Sequence, residues 1–224
     1  MKNNSLTFTR ILRQLQSGAA IVVACAVLSC GAGFAADLEP ITMSFYDQWG
    51  HFKVEGSFFV DADPEIAWHV LTDYDQIPQF VHSMKVSKIQ SQQGNDLVLQ
   101  QEGEGGFLFF TQRVHLLLNV HEKPLESIVF EDTSHKDFSF YQGTWHIGKA
   151  SSGHGLEVIY TLDAEQHIDA PAFLVSDSIQ GSVKDLLEAV RREMTQQQLA
   201  FDQKKRSKNL LAQKSKSAQD PIDK

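Results

Sequence analysis

The sequence predicts an α+β fold: a curved antiparallel sheet of about seven strands around a long C-terminal helix, with two short helices after the first strand. Three observations carry this. Short alternating segments follow one another at hairpin spacing through the middle of the chain. The stretch Val54 to Met84 reads strand, sharp turn, helix, second short helix. Finally, Val175, Ile179, Val183, Leu186, Val190 and Met194 recur at steps of three and four, an amphipathic helical stripe. A curved sheet needs a partner for its apolar face, and only the long helix is large enough to fill it.

In the first strand, Phe52, Val54, Phe58 and Val60 alternate with Lys53, Glu55 and Ser57, so His51 to Asp61 is a half-buried strand. Asp63-Pro64-Glu65 opens the first helix: Asp63 suits the cap, Pro64 the first turn, and Glu65 the positive end of the dipole. Ile66, Ala67, Val70 and Leu71 give it one apolar face. Asp73 to Asp75 breaks that pattern, and Pro78 begins a short helix with Ile77, Phe80 and Val81.

Lys85 to Gln92 and Asp96 to Glu104 flank a turn at Gln93 to Asn95. Gly103-Glu104-Gly105-Gly106 reads as a turn or bulge; it precedes a strand, so it is no phosphate cradle at a helix start. Leu108 to Glu122 is a long strand with Phe110, Val114, Leu116, Leu118 and Val120 on one face, ended by Pro124. Ser127 to Asp132, Phe138 to Gly148 and Gly155 to Ala164 complete the series. The last helix opens at Asp169-Ala170-Pro171 and runs to about Ala200.

Composition sets the class. Apolar residues are 42% and charged residues 21% of 224, which fits one globular domain with appendages. Residues 1–36 differ: Lys2, Arg10 and Arg13, then an apolar run from Ile21 to Leu28, then small residues to Ala35 and Ala36. This is the layout of a cleaved secretory signal peptide, and the expected location is the periplasm. A single membrane anchor is one alternative. Lipoprotein processing is another, since the residues before Cys25 and Cys30 loosely resemble a lipobox. Both cysteines lie in this leader, so the mature chain would have no disulfide, thiolate nucleophile or cysteine metal ligand.

Residues 37–50 are an approach segment, 51–203 the domain, and 204–224 a disordered basic tail. The tail carries seven basic and two acidic residues; the body from Asp37 to Gln203 carries 10 basic and 26 acidic, a net charge of −16. An acidic body argues against nucleic acid as a partner. The basic tail could touch anionic lipid.

The order of elements and several residue runs together resemble the helix-grip domains of the START/Bet v 1-like (SRPBCC) superfamily. The nearest branch is that of polyketide cyclases/dehydrases and coenzyme Q-binding proteins. The resemblance rests on Phe59 to Trp68, Leu71-Thr72-Asp73-Tyr74-Asp75, Pro78-Gln79-Phe80-Val81, Phe107 to Phe110, Gly143-Thr144-Trp145 and Ala170-Pro171. It spans roughly residues 50 to 200. It implies an apolar cavity between sheet and C-terminal helix that holds a lipid, quinone, sterol or aromatic polyketide. The expected lining is Phe58, Phe80, Phe110, Val114, Leu116, Leu118, Tyr141, Trp145, Val158, Tyr160, Phe173, Ile179 and Val183. Arg113, among apolar residues of the long strand, is expected to point outward or pair with an acid; as the alternative it is the candidate polar anchor.

The expected function is binding and sequestration or transport of a hydrophobic small molecule or lipid. A cyclase or dehydrase acting in the same pocket is the first alternative. A module docking another envelope protein is the second. No G-x-S-x-G, P-loop or dinucleotide motif is present, so no catalytic residue and no cofactor is assigned. His115, His121 and His146 could share a strand face, but without metal-ligand spacing. Asp73, Tyr74 and Asp75 are explained by turn chemistry.

Overall fold

A computed structural model describes residues 40–48, 50–107, 110–151, 153–166 and 172–217. The predicted leader lies outside these residues. So do the side chains of Phe110 and Phe173.

The elements are β1 (Thr42–Gln48), β2 (His51–Val60), α1 (Pro64–Thr72), a 3-10 turn (Tyr74–Gln76), α2 (Ile77–Phe80), β3 (Met84–Gln93), β4 (Asp96–Phe107), β5 (Phe110–Lys123), β6 (Ser127–Asp132), β7 (Phe138–Lys149), β8 (Leu156–Gln166) and α3 (Ala172–Ser217). They form one antiparallel sheet in the order β1-β2-β8-β7-β6-β5-β4-β3, in which β2, at the start of the domain, pairs with β8. The architecture is α+β: a curved eight-stranded sheet with a long C-terminal helix, the helix-grip arrangement.

The eighth strand is β1, within the predicted approach segment. It pairs with β2 from Thr42↔Ser57 to Gln48↔His51. Only Met43 and Phe45 give it an inward apolar signal, too short a run to be conspicuous in the sequence. The glycine-rich run from Gly103 to Gly106 is a second difference. It continues β4, because β5 pairs across it from Val114 to Thr111. The β3–β4 turn falls where expected, with Gly94 at φ +63.

Two glycines allow close approach. A Cβ on Gly56 of β2 would stand 2.4 Å from Leu187 Cδ1, so glycine lets α3 settle onto β2. A Cβ on Gly143 of β7 would stand 2.2 Å from the Thr161 carbonyl oxygen and 2.4 Å from Phe130 Cζ, so glycine leaves room for the Phe130 ring.

Asp63 holds the N-cap position of α1 by extended backbone, without the side-chain cap predicted for it. Its carbonyl accepts from the Ile66 and Ala67 N–H groups, and its own N–H donates to Gln198 Oε1 at 2.9 Å. That bond fastens the β2–α1 turn to α3. The helix itself runs to Ser217 and so passes the end expected near Ala200. Lys, Arg, Gln, Leu and Ala in this segment are good helix formers, and they extend a helix already nucleated on the sheet. No described helix is long and apolar enough to cross a membrane.

Candidate functional site

The concave face is filled unevenly. Over β2, α3 packs closely: Phe58 is 1% exposed, Val183 5% and Leu187 0%, and Val158 on the neighbouring β8 is 0% exposed. Over β4 to β7 a cavity of about 100 Å³ remains, roofed by the 3-10 turn and α2 and flanked by α3. Leu99, Leu118, Val120, Ile128 and Phe130 form its floor. Val70 and Leu71 of α1 and Val190 of α3 close one side. Ile77, Phe80, Met84 and Leu186, all partly exposed, give it an apolar mouth.

One wall is a row of aromatic rings. Phe138 meets Tyr141 at 4.9 Å between centroids, and Tyr141 meets Phe130 at 6.0 Å. Phe130 stacks on Tyr160 at 6.1 Å, and Tyr160 meets Trp145 at 4.6 Å. Strand register makes the row: Trp145 lies opposite Tyr160 and Ile128 opposite Trp145. Such offset contacts add stability beyond apolar burial alone.

Polar atoms in the lining are few and neutral. Tyr74 donates its hydroxyl to Glu122 Oε1 at 2.8 Å. Burial, then that hydrogen bond and the Glu122 charge, raise the Tyr74 pKa far above the usual phenol value. Burial pushes Tyr141 up to about 12; a hydrogen bond with Tyr160 works against this and the Asp132 charge adds to it. Tyr160 is raised well above the usual value, first by burial and then by Tyr141. Gln101 donates to Ser87 Oγ at 3.2 Å. Among the lining residues there is no carboxylate, imidazole, ammonium or guanidinium.

Five residues expected in the lining are there: Phe80, Leu118, Tyr141, Trp145 and Tyr160. Phe58, Leu116, Val158 and Val183 are buried in the packed core instead, and Val114 and Ile179 are partly buried against it. Leu99, Val120, Ile128 and Phe130 line the cavity as well, outside the expected set. Their inward parity on β4, β5 and β6 was the available signal.

Arg113 does not reach the cavity. It neighbours inward-facing Val114, so strand alternation puts it on the outer face, with its side chain 76% exposed and Nε 3.5 Å from Glu104 Oε1. The histidines stay apart as well. His115 faces Asp137 at 3.2 Å, and His121 faces Asp96 at 2.6 Å. Among the described residues no three His, Cys, Asp or Glu side chains gather as metal ligands. Two larger hollows, about 750 and 520 Å³, lie on the outer side of the sheet; they are open and edged by polar groups such as Glu131 and Asp163.

A sequence model of the family described as polyketide cyclase/dehydrase and lipid transport matches residues 60–191. No curated protein sequence matches the chain. Among solved structures, the chain is similar to a STAR-related lipid transfer protein fragment from Xanthomonas axonopodis: 15% identity, TM-score 0.56, covering 71% of this chain and 96% of that one. It is similar to the aromatase/cyclase ZhuI from Streptomyces sp. R1128 at 12% identity and TM-score 0.55, covering 64% and 93%. The protein TTHA0849 from Thermus thermophilus aligns at 17% identity and TM-score 0.54, covering 66% and 98%. At such identities the likeness is one of fold.

Proposed function

This chain belongs to the polyketide cyclase/dehydrase and lipid transport family, and from that premise we propose that it binds and carries a hydrophobic small molecule or lipid between its sheet and its last helix. The observation that supports binding over turnover is the lining. It is apolar and aromatic, and its ionisable groups are phenols held neutral well past physiological pH. A cyclase or dehydrase needs a group poised to move a proton near neutrality, and phenols with raised pKa are poorly placed for that.

The unfilled volume, about 100 Å³, is below the roughly 150 Å³ that takes a benzene-sized guest. A quinone, sterol or acyl chain therefore enters by parting the mouth residues Ile77, Phe80, Met84 and Leu186. Apolar burial, at about 25 cal/mol per Å² before ordering costs, supplies the affinity. The leader-like residues 1–36 support an exported protein working in the cell envelope, where its basic C-terminal segment can touch an anionic surface.

Organic extraction of the purified protein followed by mass spectrometry tests the reading. One apolar compound recovered at near-equal molar ratio is the expected result. Repeated recovery of an empty protein that also binds no added apolar compound would refute it.

A further inference from the structure

Past Gln198 the last helix leaves the domain, and the side that carried its inward-facing stripe continues into solvent. Val183, Leu187, Val190 and Met194 are 5%, 0%, 3% and 0% exposed. Seven-residue steps from Met194 lead to Phe201 and then Lys208, so the same side continues outward. Around them Phe201, Lys204, Lys205, Lys208, Leu211 and Ala212 fall at i, i+3, i+4, i+7, i+10 and i+11, one helix face. Phe201 is 46% exposed and Leu211 69%, and the three lysines are exposed too. From Gln198 to Lys214 this shelf reaches about 24 Å.

We propose that this face is an anchor for an anionic phospholipid surface. Phe201 and Leu211 enter the boundary between headgroups and acyl chains, while Lys204, Lys205 and Lys208 lay their stems along it and meet the phosphates. Both halves of the face ask for the same partner. Nucleic acid offers phosphates but no apolar layer for Phe201 and Leu211. A second copy offers an acidic body, yet ion pairs between exposed surfaces contribute little. A bilayer offers negative charge above and hydrocarbon beneath. The body's net charge of −16 disfavours contact between the sheet and the same surface. The inference rests on the cavity reading only for its purpose, which is to bring that cavity to its source of ligand.

Vesicle flotation of the purified protein tests it, using phosphatidylcholine with about 30% phosphatidylglycerol, and phosphatidylcholine alone. The protein should float with the anionic vesicles and much less with the neutral ones. Replacing Lys204, Lys205 and Lys208 by Gln should weaken binding roughly fivefold per lysine, so roughly a hundredfold together. Gln keeps the helix, which circular dichroism would verify. F201S/L211S should remove the part of binding that survives high salt. No flotation, or equal flotation of the triple variant, would overturn the proposal. So would light scattering that shows dimers lost in the triple variant while vesicles stay unbound. An apolar fluorescent probe for the cavity, N-phenyl-1-naphthylamine, should bind the triple variant normally. Loss of probe binding by every form, with flotation intact, would refute the cavity reading and leave the anchor standing.

Discussion

Single residues set the chemistry of the cavity. Tyr74, Tyr141 and Tyr160 stay protonated because burial disfavours the phenolate. The stability consequence has a definite sign. Their folded pKa values lie above the unfolded value near 10, so the folded state holds protons that the unfolded chain has released. Their contribution is therefore complete below pH 10 and declines as pH rises toward 12 and beyond. Urea titrations from pH 8 to 12 should show falling stability above pH 10. Tyr141→Phe should lessen that slope by up to one proton, about 1.4 kcal/mol per pH unit.

Asp132 is the other decisive residue. It is 1% exposed and accepts from the Leu117, Ser134 and His135 N–H groups at 2.8, 3.1 and 3.0 Å and from the Ser134 hydroxyl at 3.0 Å. Asp132→Ala would strand these donors and should cost about 2–4 kcal/mol in urea denaturation, and Asp132→Asn less. This role was not legible in the sequence. Asp132 closes a strand on an unremarkable turn, and its donors include Leu117, a neighbour only through the β5–β6 pairing.

At the scale of elements, the strand alternation was readable because each strand has one buried and one solvated face. The same parity found Tyr141, Trp145 and Tyr160 on the cavity wall. It could not show which half of the concave face would be filled. Gly56 marks the filled part: its missing Cβ lets Leu187 press α3 against β2. Phe58 and Val158 were thus correctly inward, yet in the packed half. Gly143 is the matching case on the open half. Gly143→Ala would set its methyl against the Thr161 carbonyl and the Phe130 ring. It should lower stability by about 1–3 kcal/mol in thermal or urea unfolding and weaken ligand binding by displacing Phe130. The far end of α3 was hard to read for a different reason. Its residues have no buried face, so no core-facing apolar stripe marks its end, and helix propensity and continuity with the packed part sustain it.

The whole molecule has two contrasting regions. An acidic domain encloses a small apolar space, and a basic helical shelf leaves it at one end. The apolar volume and apolar mouth suit the hydrophobic ligands proposed above, and the ionisable groups of the lining are phenols. The direct measurement is saturation binding of N-phenyl-1-naphthylamine, followed by fluorescence, in the protein and two variants. Leu118→Trp fills the cavity floor, and Val129→Trp adds the same ring on the outer face, where Val129 is 47% exposed. One saturable site is predicted, at least about tenfold weaker in Leu118→Trp and unchanged in Val129→Trp. Val120→Phe gives a milder filling if the larger residue unfolds the chain. Equal binding by all folded forms, or none by the unaltered protein, would contradict the account.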